Sequence, residues 1–201
     1  MNISIKSLFR RSSETFMIRL IGVISNYIYF FMISNKFSSE GMGLFAFYQS
    51  MLLIFSIFPQ FGINLSIIKF ASEAKNNPPK LREIIFKATV IITLLSVFSI
   101  LIIYICQDML IFINEGVKLS IYLIISLFPF VFINIIPEVF RSTGGSNFFI
   151  LYKYTLLPII GIFFLWLTSY SINPILSYIY SIYTISSFVL IHTLYKYYFK
   201  S

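Results

Sequence analysis

Uncharged apolar runs recur along the chain, and polar residues gather between them. Six of these runs, 16–34, 44–66, 88–106, 119–137, 154–169 and 175–195, stand out. Each is close to the roughly 20 residues that an α-helix needs to cross hydrocarbon. Arg19 alone interrupts the first, and His192 lies near the end of the sixth. The last two are parted by Tyr170-Ser171-Ile172-Asn173-Pro174, whose Asn-Pro step disfavours a continuing helix. Lipid cannot satisfy open backbone groups, so a spanning segment is a helix or part of a closed barrel. Barrel strands read as alternating segments of about ten residues. These runs are longer and continuous. The expected fold is all-α, a polytopic membrane helix bundle of about six transmembrane helices.

Composition supports that reading. Of 201 residues 58% are hydrophobic and only 11% charged, with a mean hydropathy of +0.89. Soluble domains carry about 25% charged residues. The 24 Phe and 14 Tyr add less than their number suggests. Phe, Tyr, Ile, Asn and Lys share AT-rich codons, so rings alone do not mark a site. Cys106 is the single cysteine, which excludes an intrachain disulfide and reads as packing.

The net charge of +8 matters through its placement. With six spans, thirteen of the fifteen Lys and Arg fall on one side, and only Lys36 and Lys118 on the other. Basic loops stay cytoplasmic, so both termini are expected in the cytoplasm and no nucleic-acid partner is implied. Basic Lys6, Arg10 and Arg11 precede the first run, which exceeds a signal-peptide core and has no small-x-small site after it, so it reads as a retained span. The longest loop, 69–87, contains Asn76-Asn77-Pro78-Pro79 and then a short amphipathic stretch leading into the third span.

Polar residues inside the spans fall on faces. In the first, Arg19, Gly22, Asn26 and Tyr29 are spaced 3, 4 and 3. In the second, Gln49, Ser56, Gln60 and Asn64 are spaced 7, 4 and 4. Asn134, Glu138 and Arg141 close the fourth, spaced 4 and 3. Two readings fit such faces: a hydrophilic cavity, or hydrogen bonds that join helices. The carboxamides of the second span favour the cavity. The Ser and Thr stripes (Thr89, Thr93 and Ser96; Ser177, Thr184 and Ser187) favour joining. Arg19 suits either a cavity or snorkelling toward the nearby interface. Glu138 and Arg141 fit a surface pair worth a few tenths of a kcal/mol. Pro129 and Pro158 predict kinks. One His, one Cys and scattered carboxylates give no metal site, no cofactor site and no acid–base pair, so an enzyme is not expected.

Four segments carry a family resemblance. Leu8-Phe9-Arg10-Arg11 leads into the first span. Phe37-Ser38-Ser39-Glu40-Gly41-Met42-Gly43-Leu44-Phe45-Ala46 resembles an outer turn of the form LG-x-x-x-(F/M)-G-x-(Y/F)-A. Phe61-Gly62-Ile63-Asn64-Leu65-Ser66-Ile67-Ile68-Lys69-Phe70-Ala71 resembles GL-x-x-x-x-x-R-x-x-A, with Lys69 where Arg is common, and Phe140-Arg141-Ser142-Thr143-Gly144-Gly145 resembles the turn after the fourth span. In this order they are similar to the polysaccharide-transporter branch of the multidrug/oligosaccharidyl-lipid/polysaccharide exporter superfamily, which includes the O-antigen flippases. The match covers one six-helix lobe of a two-lobe transporter.

That resemblance implies a flippase of a bacterial inner membrane. It would move a lipid-linked (polyprenyl pyrophosphate) oligosaccharide for cell-surface polysaccharide. Arg19, Asn26, Gln49, Gln60, Asn64 and Asn134 would line the cavity, with Lys69 and Arg141 as cytoplasmic headgroup contacts. A lone lobe implies a truncated product, a homodimer or a separate second half. The alternatives are a non-transporting assembly subunit and a small-molecule efflux half-transporter.

Overall fold

A computed structural model describes residues 5–105, 116–167 and 173–199. Cys106, Asp108, Glu115, Lys200 and the turn at 170–172 lie outside the described residues, as do the side chains of Lys6, Arg10, Arg11 and Lys118. Among the described residues the regular structure is entirely helical.

The first element, α1, runs Ile5–Gln60. At 49 residues its apolar part, Ser12–Gln60, is far too long for one crossing. It is broken at Ser38, whose φ is 62° and ψ −178°. The chain turns back there. Phe45 meets the rings of Tyr29 and Phe30 at 5.9 and 5.8 Å. In an unbroken helix residues 29 and 45 would stand about 24 Å apart. Gly41 lets the turn close, because a Cβ on it would meet Phe37 Cβ at 2.6 Å.

Gly62, at φ 73°, starts a second break. The chain continues as α2 (Ile63–Glu73), α3 (Pro78–Ile105) and α4 (Gly116–Ile135). The α3 start is capped by Asn77, whose Oδ1 accepts from the Lys80 N–H at 3.2 Å. Then come α5 (Pro137–Ser142), α6 (Ser146–Ile150), a wide π turn at Leu151–Thr155, and α7 (Leu156–Leu167). Asn173 caps α8 (Pro174–Leu194), its Oδ1 accepting from Ile175 N–H at 3.0 Å, and a second π turn covers Tyr195–Phe199.

Among the described residues five helical rods are long and apolar enough to cross a membrane, by length and composition: Ser12–Gln60, Pro78–Ile105, Ser120–Ser142, Ser146–Leu167 and Pro174–Phe199. The expected number was about six, and the difference is the merged first rod. Stretch 69–87, expected as a loop, is helical on both sides of a short turn at 74–77. Two prolines at 78 and 79 begin α3 because a helix tolerates proline in its first turn. Helix α4 runs through Pro129 and ends at Ile135, just ahead of Pro137.

The rod Ser120–Ser142 forms the centre, 78% of its most apolar window being buried, against 22% for the first rod. Helix α8 packs against α4 and α7, and α1 against α3, α4 and α7. Tyr29, Phe45, Tyr48 and Tyr178 make the aromatic heart of this core, with Phe45 and Tyr178 edge to face at 5.5 Å. The Tyr48 hydroxyl donates to Ser126 Oγ at 2.6 Å, and Tyr29 and Ser177 share a hydrogen bond of 3.1 Å. Close approach needs two glycines. A Cβ on Gly161 would strike the Tyr29 ring at 2.7 Å, and one on Gly22 would meet the Tyr154 carbonyl at 2.9 Å.

The outside is apolar. Helix α3 exposes Val90, Ile91, Leu94, Val97, Phe98 and Leu101 while it buries Ser96 and Ser99. Water would not tolerate so continuous an apolar face. Hydrocarbon would. The chain is a multi-pass membrane protein. A non-glycine at the Ser38 conformation costs about 1–3 kcal/mol. Ser38→Val should lower the thermal midpoint in detergent, and Ser38→Gly should hold or raise it, both measured by unfolding of the purified chain.

Candidate polar cavity

The first half of α1 carries Arg19, Gly22, Val23 and Asn26 on one helical face. That face turns toward a cavity of about 340 Å³. Gln49 reaches it from the second half of α1, Asn134 from α4, Lys153 and Tyr154 from the π turn, and Tyr178 from α8. Four predicted residues therefore converge: Arg19, Asn26, Gln49 and Asn134. Gln49 Nε2 donates to the Tyr178 hydroxyl at 3.5 Å. Asn134 Nδ2 donates to the Phe130 carbonyl at 2.8 Å, which leaves its own carbonyl for a ligand.

A second cavity of about 440 Å³ adjoins the first and shares Arg19, Lys153 and Tyr154 with it. It adds Glu138 and Arg141. Arg19 lies 5.5 Å from the Tyr154 ring and forms no ion pair with the described residues. The lining of the two cavities thus holds Arg19, Arg141 and Lys153 against Glu138 alone, a surplus of two positive charges.

Glu138 is the anchor of this end. It is 4% exposed. Lys153 Nζ lies 3.0 Å from its Oε1, and Arg141 Nη1 lies 3.4 Å from Oε2. The expected surface pair with Arg141 is therefore corrected. The carboxylate is buried, its main partner is Lys153, and Arg141 is the half-exposed outer contact. The π turn makes this pairing. It widens the helix by one residue and swings Lys153 inward, and such bulges recur at functional sites.

The remaining predicted residues lie elsewhere. Gln60 lines a separate cavity of about 440 Å³ with Ser56 and Phe61, which Asn134 also borders. Asn64 is on α2, beyond the left-handed Gly62, so it leaves the expected single face of Gln49, Ser56, Gln60 and Asn64. Its buried Oδ1 has no hydrogen-bond partner among the described residues. Lys69 is exposed on α2 and lines none of these cavities. Arg141 reaches the second cavity.

The hydroxyl stripes are also corrected. Thr89 and Thr93 donate to the carbonyls of Ile85 and Thr89 in their own helix, at 2.9 and 2.8 Å. Thr184 and Ser187 do the same on α8. Ser177 alone among them reaches across, to Tyr29. Sequence reasoning passed over Lys153 and Tyr178 as lining groups. The first falls just outside the expected span 154–169, and the second lies one position after Ser177 on the sixth span.

Comparison with known proteins gave no match to any family model, any curated protein or any solved structure.

Removing one partner of a buried pair leaves the other charged and unpaired, at a cost of about 3–5 kcal/mol. Glu138→Ala should destabilise by that order. Adding Lys153→Leu should recover most of it, and Arg141→Ala alone should cost less than about 1 kcal/mol. Denaturant unfolding of the four proteins in micelles measures this.

Proposed function

We propose that the chain is one lobe of a flippase for a lipid-linked oligosaccharide in a bacterial inner membrane. The observation that carries this reading is the meeting of Arg19, Asn26, Gln49 and Asn134, from three separate helical stretches, on one polar cavity with surplus positive charge beside it. In this reading the two halves of α1 each cross the bilayer, which makes six crossings with both termini cytoplasmic. Thirteen of fifteen basic residues then face the cytoplasm.

The chemistry fits the cargo. Arginine and lysine hold phosphate oxygens by charge-assisted hydrogen bonds. Carboxamides offer donors and acceptors to sugar hydroxyls. The pyrophosphate would lie toward Arg19 and Lys153, and the first sugars toward Asn26, Gln49 and Asn134. Flipping forms and breaks no covalent bond, so no catalytic residue is needed. A cavity of about 340 Å³ is at the small end for a ligand site. A cargo of several sugars therefore needs a second wall, from a second copy or another six-helix lobe. The resemblance of 37–46 and 61–71 to family turns supports the same reading.

The test is flipping in vesicles. The chain is reconstituted alone and with a second lobe, and the outward appearance of a lipid-linked saccharide is timed. Arg19→Ala and Gln49→Ala should each slow flipping about tenfold, the equivalent of one lost hydrogen bond to a charged or polar group, with thermal midpoints unchanged. Rates that ignore both substitutions would overturn the proposal. A protein that flips nothing in either arrangement, yet co-purifies with a polysaccharide-synthesis enzyme, would place it as an assembly subunit.

A further inference from the structure

A pocket of about 540 Å³ opens at the end of the bundle where α2 turns into α3. It shares no residue with the two cavities that Arg19 lines. Three stretches build it: Lys75, Asn76, Pro78 and Leu81 from the turn and the start of α3, Thr143 from the turn after α5, and His192, Tyr195, Lys196 and Tyr197 from the end of α8 and the final π turn.

Its walls are fixed by local contacts. The Thr143 and Tyr197 hydroxyls share a hydrogen bond of 2.9 Å. Arg82 Nε donates to the Tyr197 carbonyl at 2.5 Å, which ties α3 to the final π turn. His192 stacks on Phe140 at 4.6 Å, and its Nδ1 lies 2.9 Å from the Tyr152 hydroxyl.

Two cations line this frame. Lys196 Nζ lies 5.0 Å from the Phe140 ring and 5.1 Å from the Tyr197 ring. Lys75 Nζ lies over Gly144, 3.7 Å from where a Cβ would be. Among the described residues neither lysine forms an ion pair and no carboxylate lines the pocket. By contrast Lys87, on α3, is paired to Glu83 at 2.5 Å. Pro78, Leu81 and exposed Tyr195 give an apolar side, and Tyr198 and Phe199 are exposed next along the chain.

We propose that this pocket is a phosphate-ester site, in which Lys75 and Lys196 hold the phosphate and Asn76 is a neutral donor beside them. Basic pockets at a membrane face take anionic lipid headgroups by this chemistry. A soluble phosphate monoester offers the same oxygens. The site is independent of whatever the Arg19 cavity carries.

The test uses the full chain in detergent. Native mass spectrometry reads retention of phosphatidylglycerol against phosphatidylcholine, and glycerol 3-phosphate is added as a soluble competitor. Lys75→Gln and Lys196→Met should each weaken phosphatidylglycerol retention about fivefold, roughly 1 kcal/mol per cation at a membrane surface. The methionine keeps the aliphatic contact with Phe140, and Lys75→Arg should restore binding. Lys87→Gln should leave retention unchanged. Displacement by glycerol 3-phosphate identifies a soluble phosphate as a ligand, and failure to displace identifies the lipid. Retention that is unaltered in both lysine variants, or equally reduced in Lys87→Gln, overturns the proposal.

Discussion

Hydrocarbon is the solvent that this chain satisfies, and the bundle is arranged around that constraint. A polar group facing lipid has no partner, so hydroxyls and carboxamides either turn inward or bond their own helix. Thr89 and Thr93 take the second course on a helix whose outer face is Val, Ile, Leu and Phe. Tyr29, Tyr48 and Ser126 take the first, deep between helices. Close packing then replaces the hydrophobic drive that water would supply. Gly22 and Gly161 let the first helix of the hairpin lie against the π turn and α7, with Thr155 Oγ1 donating to the Ile18 carbonyl at 3.0 Å.

The same constraint makes the charged residues at the basic end informative. A buried carboxylate is tolerable only with a cation beside it, and Glu138 has Lys153 at 3.0 Å. That pair draws the π turn toward α5 and places Lys153 and Tyr154 on the cavity wall. Arg19 comes from α1, with no acid paired to it among the described residues. The cavity is therefore polar at its sides and positive toward one end. This is a field suited to an anionic head followed by neutral hydroxyls.

Much of this architecture was legible in the chain. Apolar runs of about twenty residues read directly as crossing segments, and the spacing of Arg19, Gly22 and Asn26 pointed to an inward polar surface. What escaped reading depended on backbone events that leave little trace in composition. The reversal falls inside the expected outer turn 37–46, but the residue that makes it, Ser38, is a non-glycine at positive φ, so composition did not single it out. Gly62 rotated Asn64 away from Gln60 by a single left-handed residue. The π turn at 151–155 shifted the helical phase and made Lys153 the partner of a buried carboxylate. Helical periodicity assumes an unbroken helix, and each miss sits at a break.

Accessibility within the bilayer tests the central claim most directly. In a Cys106→Ala background, single cysteines are placed at Asn26 and Asn134 in the cavity and at Leu94 on the outer face of α3. They are then exposed to a charged, membrane-impermeant thiol reagent in sealed and opened vesicles. The account predicts labelling at 26 and 134 once the basic side is reachable, and none at 94. Equal labelling at all three, or protection of the two cavity positions from both sides, would contradict it.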